Sequence, residues 1–130
     1  MSDLYADSSA LAKLLLEETE SGELASFLEA DGRTPVSSAL VRVELTRAVR
    51  LRNPAAAAEL RDLLSGLEIV PVNDRVLAVA GQLADARLRS LDAIHLASAV
   101  SVGADEMLVY DRELAEAATA AGIRALSPGR

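Results

Sequence analysis

Four acidic residues stand where a carboxylate is not an ordinary surface group. Asp7 follows the short apolar run Leu4-Tyr5-Ala6, and Asp111 follows Met107-Leu108-Val109-Tyr110. Asp92 falls in the first turn of Ser90 to Ala99, a helical stretch apolar on nearly every side, and Glu44 has mostly apolar neighbours three and four residues away. A helix that is hydrophobic all round is normally buried, and a buried carboxylate must be paired, hydrogen-bonded, protonated or bound to a metal. Carboxylates gathered in one place repel, raising their pKa values until a proton or a cation neutralises them. Mg²⁺ and Mn²⁺ are held by few carboxylates together with water and phosphate oxygens, so the chemistry indicated is metal-assisted phosphoryl chemistry.

Taken singly, each acid has a plainer reading. Asp7 and Asp111 stand between a strand and a helix, the place of an N-cap that accepts from orphan backbone N–H groups. Ser90 can cap its own helix, leaving Asp92 to support the helix dipole, and Glu44 can pair with Arg47 three residues on. His95, one turn after Asp92, suggests a proton shuttle, but a lone histidine on a buried helix is more commonly a hydrogen-bonded core residue. Arg42, Arg47, Arg50 and Arg52 stand against the single acid Glu44. That stretch reads as a solvated helix face or as a contact for phosphate or an acidic partner.

The elements that must position these groups alternate. Strands are expected at Leu4–Ala6, Thr34–Ser37, Glu68–Val72 and Met107–Tyr110, with a short edge strand at Ile123–Leu126. Helices are expected at Ala10–Glu18, Gly22–Ala30, Ser38–Arg52, Ala55–Leu67, from the Asn73-Asp74 cap to about Arg89, from Ser90 to near Gly103, and from Asp111 to Gly122. This alternation implies an α/β domain whose mostly parallel sheet of four or five strands is covered on both faces. In such a sheet ligands bind beyond the carboxyl ends of the strands, which places Asp7 and Asp111 on one rim.

Composition narrows the classes. The 130 residues suit one domain spanning 1–130. With no cysteine and one histidine, a bound metal has to be held almost wholly by oxygen. The net charge of −7 argues against a broad basic surface for nucleic acid, and three aromatic residues are too few for a stacking platform, so any contact with RNA or DNA falls to arginine and metal. The N-terminus lacks the features of a signal peptide and no run suits a membrane span, which points to the cytoplasm.

Together, Tyr5-Ala6-Asp7-Ser8-Ser9-Ala10-Leu11, Glu44, Leu91-Asp92-Ala93-Ile94-His95-Leu96-Ala97-Ser98-Ala99 and Tyr110-Asp111-Arg112-Glu113-Leu114 resemble the PIN-domain family, particularly its small bacterial VapC-type toxins. The resemblance covers residues 4 to about 125. It implies a three-layer α/β/α fold and a metal-dependent endoribonuclease in which Asp7, Glu44, Asp92 and Asp111 form the acidic quartet. In that quartet Mg²⁺ or Mn²⁺ binds chiefly through Asp7 and Asp92, Glu44 and Asp111 complete the site directly or through water, and Ser9 supplies a hydroxyl beside the first acid; Arg47, from the basic stretch, is a candidate substrate contact. It further implies a VapB-like antitoxin, contact with DNA only through that antitoxin, and a homodimer. Relatives commonly carry threonine two residues before the last acid, where this chain has Val109. Two alternatives remain open: a non-catalytic PIN-like interaction protein whose acids only cap helices, and a receiver-like phosphoacceptor. The latter needs a lysine at a late strand end, whereas the one lysine, Lys13, falls in the first helix.

Overall fold

The computed structural model describes residues 3–130; Met1 and Ser2, counted in the expected domain, lie outside them. Five three-residue strands, β1 (Leu4–Ala6), β2 (Val36–Ser38), β3 (Glu68–Val70), β4 (Glu106–Leu108) and β5 (Arg124–Leu126), form one sheet in the order β3-β2-β1-β4-β5. Every pairing is parallel, with Tyr5 opposite both Val36 and Met107. Seven α-helices connect the strands: α1 (Ser8–Ala12), α2 (Ser21–Asp31), α3 (Val41–Arg52), α4 (Ala57–Ser65), α5 (Asp74–Gln82), α6 (Ser90–Ser101) and α7 (Arg112–Ala120).

Parallel strands need crossovers long enough to hold a helix, and these helices cover both faces of the sheet. The strand pleat divides the core in two. Leu4, Ala6 and Leu108 pack with Leu11, Leu24, Val41 and Leu45 on one face. Tyr5, Met107 and Val109 pack with Leu96, Ala99, Leu114 and Ala118 on the other. The alternation of Leu4, Tyr5 and Ala6 between faces is the period of two expected of a strand. Each fully buried leucine contributes roughly 1.5–3 kcal/mol of transfer free energy. The chain runs outward from β1 in both directions, to β2 on one side and to β4 on the other, so the order reverses beside β1. Asp7 N–H continues the ladder to the Leu108 carbonyl at 3.3 Å, and the crevice at this switch point opens directly beyond it.

Several element boundaries differ from expectation for local reasons. The first helix ends at Ala12 instead of Glu18. Asn53 Nδ2 donates to the Leu15 carbonyl and the Ser21 hydroxyl donates to the Leu16 carbonyl, taking acceptors that a continuing helix would use. The fifth helix stops at Gln82 instead of Arg89, because Leu83 is extended and Asp85 folds the following turn by accepting from the Arg87 backbone and guanidinium. The second strand starts after Pro35, which has no N–H to contribute, and runs through Ser38. No helix among the described residues is long and apolar enough to cross a membrane.

Candidate active site

Asp7 leaves the carboxyl end of β1 and caps α1, its Oδ1 accepting the Ala10 N–H at 2.8 Å. The exposed Ser9 hydroxyl reaches both carboxylate oxygens, at 3.0 and 2.9 Å. Only 3% of Asp7 is exposed, and this burial pushes its pKa up from 3.8 to about 6. The Ala10 N–H, His95 and the Ser9 hydroxyl oppose the rise, while the charge of Asp92 adds to it. The capping reading of Asp7 is therefore correct, and the cap occupies only Oδ1, leaving Oδ2 with the Ser9 hydroxyl alone.

The other acids reach the same rim from three different elements. Asp111 caps α7 by accepting the Leu114 N–H at 2.8 Å and is otherwise exposed. Asp92 is half-buried in the first turn of α6, whose N-cap is Arg89 and not Ser90. Its pKa is held above the usual carboxylate range by burial first, then by Asp111, with Glu44 adding to the rise and His95 and Arg89 opposing it. The mutual fields of Asp7 with Asp92, and of Asp92 with Asp111 and Glu44, tie the four carboxylates into one electrostatic group.

Glu44 does not pair with Arg47, which is exposed and makes no ion pair among the described residues. Its carboxylate is instead 2.8 Å from His95 Nε2. On the other side of the ring, His95 Nδ1 lies 2.7 Å from the Tyr5 hydroxyl. The two rings meet edge to face, with centroids 5.9 Å apart. Burial holds the Tyr5 phenol well above its ordinary pKa, so it keeps its proton as a donor. A proton on Nε2 satisfies the whole chain: Tyr5 O–H donates to Nδ1, and Nε2–H donates to Glu44. His95 is thus the hydrogen-bonded core residue expected, but it also holds a site acid in place. Tyr5 carries no chemistry-bearing motif and was missed in the sequence. The only signal was a hydroxyl in an otherwise apolar strand, at the register that faces α6.

Val109, in the position of the usual threonine, is fully buried in the core beside Leu114 and Met107. Lys13 is not at a strand end on the rim. Its ammonium is buried 2.8 Å from Glu20 and 4.6 Å from the centre of the Tyr110 ring, which removes the lysine that a phosphoacceptor site requires.

The donors available are all hard oxygens, and the repulsion that lifts Asp7 and Asp92 is what a divalent cation would relieve. Among the described residues no three acidic or histidine side chains approach closely enough to make a closed ligand cage. That openness fits a hard cation held by one or two carboxylates and water better than an all-protein site. Asp7, placed by its cap and by Ser9, is the best-ordered donor. Ser9→Ala should move the Asp7 pKa further upward, because it removes a donor to the charged form. NMR titration of the Asp7 carboxyl carbon measures this directly. A pKa that stayed in place or fell would show that Ser9 does not support the carboxylate.

Comparison with known proteins gives the family and the fold. The PIN domain family model matches residues 4–120. Ribonuclease VapC47 of Mycobacterium tuberculosis is 40% identical over 132 residues, covering 97% of both chains. Among solved structures, M. tuberculosis VapC20, described as a sarcin-ricin loop cleaving toxin, superposes with a TM-score of 0.75 at 19% identity, covering 97% of this chain and 100% of that one. A toxin–antitoxin complex from Klebsiella pneumoniae superposes with a TM-score of 0.77 at 21% identity, covering 98% of each chain.

Proposed function

Since the chain belongs to the PIN-domain family, we propose that it is a metal-dependent endoribonuclease, the toxin of a type II toxin–antitoxin pair, acting on RNA phosphodiester bonds. The observation that carries this reading is the electrostatic coupling of Asp7, beyond β1 at the switch point of the sheet, with Asp92, and of Asp92 with Asp111 and Glu44. The near full-length likeness to a ribonuclease and the fold shared with the toxin–antitoxin complex support it. The corresponding partners are a VapB-like antitoxin, DNA through that antitoxin alone, and a second copy of the chain. Residues 1–130 form a single nuclease domain in this reading, working in the cytoplasm.

Asp7 and Asp92 would hold Mg²⁺ or Mn²⁺, with Glu44 and Asp111 completing the site directly or through water. A divalent cation bound there supplies Lewis-acid polarisation of the scissile phosphate and lowers the pKa of a water so that it becomes a nucleophile at neutral pH. The protein's own contribution is placement. The α1 cap and Ser9 fix Asp7, and the Tyr5–His95 chain fixes Glu44, so neither carboxylate has to be ordered when substrate arrives. Without a cation the acids repel an incoming phosphodiester, which makes substrate binding depend on cation binding.

Protein freed of its partner should cleave RNA with Mg²⁺ or Mn²⁺ and stop when the cation is chelated. Mn²⁺ should also raise its melting temperature by mass action, and Asp92→Asn should lose both responses while remaining folded. Cleavage that persists in chelator would remove the metal from the mechanism. A folded protein that neither binds cation nor cuts RNA would return the acids to helix capping alone.

A further inference from the structure

The proposed ribonuclease leaves open how a chain of net charge −7 holds a polyanion. Most arginines outside α3 and α4 are neutralised by acids. Arg33 pairs with Asp31 and Glu106, Arg87 with Asp85 and Glu116, Arg112 with Glu116, Arg124 with Glu106, and Arg130 with Glu20. On α3 and α4 the pattern reverses. Arg42, Arg47, Arg50 and Arg61 are exposed and make no ion pair among the described residues, although acids outnumber basic residues in the chain by 20 to 13. Exposed arginines that make no ion pair keep their charge available to an anion from solvent.

Their placement is ordered. Glu44, Arg47 and Arg50 follow one another at intervals of three along α3, a helix ridge whose neighbours stand about 5–6 Å apart at Cβ. The ridge leaves the acidic site at Glu44 and turns round the helix towards α4. There Arg50 and Arg61 line the same depression between the two helices. Arg61 also lines the adjoining depression with Arg42, next to Ile69 of the edge strand β3. Arg47 and Arg50 on α3 and Arg61 on α4 therefore succeed one another from Glu44 to the depression between the two helices.

We propose that Arg47, Arg50 and Arg61 are a phosphate track that binds the RNA backbone beside the scissile bond, an assignment that rests on the ribonuclease reading above. Guanidinium groups suit this role because each presents several donors to phosphate oxygens in a fixed fork. With so few aromatic side chains in the chain, the track reads charge and backbone spacing and not base identity.

The test is the salt dependence of cleavage of an unstructured single-stranded RNA oligomer by the purified toxin with Mn²⁺. Each single-strand phosphate contact contributes about 0.7 to the slope of log affinity against log salt, so the triple variant Arg47→Gln/Arg50→Gln/Arg61→Gln should flatten the slope of log kcat/KM by about 2. KM should rise for all RNA sequences alike while kcat stays near wild type. A triple Arg→Lys variant should recover most of the slope, and Arg124→Gln, at the opposite ends of the strands, should leave it unchanged. Wild-type kcat, KM and slope in the glutamine triple would overturn the track and leave the nuclease standing. An effect confined to binding of a protein partner would overturn it in favour of a protein-docking face. Absence of cleavage by the wild-type protein would overturn the ribonuclease reading and the track with it.

Discussion

Asp7→Asn is expected to abolish cleavage and, in the absence of divalent cation, to make the protein more stable. The two effects have one origin. Asp7 is almost completely buried, and its pKa rises from 3.8 to about 6 on folding. At 1.36 kcal/mol per pH unit, the ionised form then costs about 3 kcal/mol of stability at neutral pH. Asparagine removes that charge while keeping an oxygen for the Ala10 N–H. The sign follows from the direction of the shift. A group whose folded pKa lies above its unfolded value stabilises the fold fully below about pH 4, and that contribution is lost as the pH rises through about 6. The variant should therefore melt about 10 °C above wild type at pH 7 and close to wild type at pH 4.

With Mn²⁺ present the order should narrow or invert, because only the wild-type site gains binding free energy from the cation. Cleavage should fall by at least about a thousand-fold, matching the several kcal/mol that a correctly held cation supplies to the transition state. Calorimetry at the two pH values, with and without Mn²⁺, checks the stability half. A variant less stable than wild type at pH 7 in chelator would show that the buried charge is not what Asp7 costs the fold.

His95→Ala should be the most destabilising change near the site. The Tyr5 hydroxyl is fully buried and lies 2.7 Å from His95 Nδ1, so truncation leaves it without that partner. The lost hydrogen bond costs about 1 kcal/mol, because Ser37 and Ser98 remain beside the Tyr5 hydroxyl, and the space vacated by an imidazole that is 1% exposed adds a larger cavity penalty. The total, about 3–5 kcal/mol, should appear in urea unfolding as a lower midpoint at unchanged slope. Tyr5→Phe should cost less, about 1–3 kcal/mol, because only Nδ1 loses its partner and the ring stays. Glu44→Gln combined with Tyr5→Phe should be non-additive by at least about 0.5 kcal/mol if the three side chains act as one network. A loss below about 1 kcal/mol in His95→Ala would mean that the buried network contributes little to the fold.

Much of the site was legible because its signals are local. An acid directly after an apolar strand and directly before a helix says where it sits in a parallel α/β domain. That logic places Asp7 and Asp111 on one rim. The apolar surroundings of Asp92 and Glu44 likewise marked two carboxylates that an ordinary surface would not hold. Helix ends were less legible. The stops after Ala12 and Gln82 depend on side chains capturing backbone groups, Asn53 from another helix in the first case and Asp85 in a turn in the second.

The sequence alone thus determined the order of the elements and the parallel sheet, and it singled out the four acids as candidates, since each follows from spacing, hydrophobic period and turn chemistry along the chain. Only the tertiary structure decided what Glu44 does. Its neighbour in sequence, Arg47, was the natural partner, but the carboxylate turns to His95, which is 51 residues away and is held in turn by Tyr5, 90 residues from the histidine. The reason is desolvation. A half-buried carboxylate at the edge of the core gains more from a buried, fixed donor than from a mobile guanidinium in water, and the packing of α6 against β1 and β2 supplies that donor. Leaving Arg47 unpaired is the other side of the same choice, and it leaves a basic ridge free on α3 beside the acids.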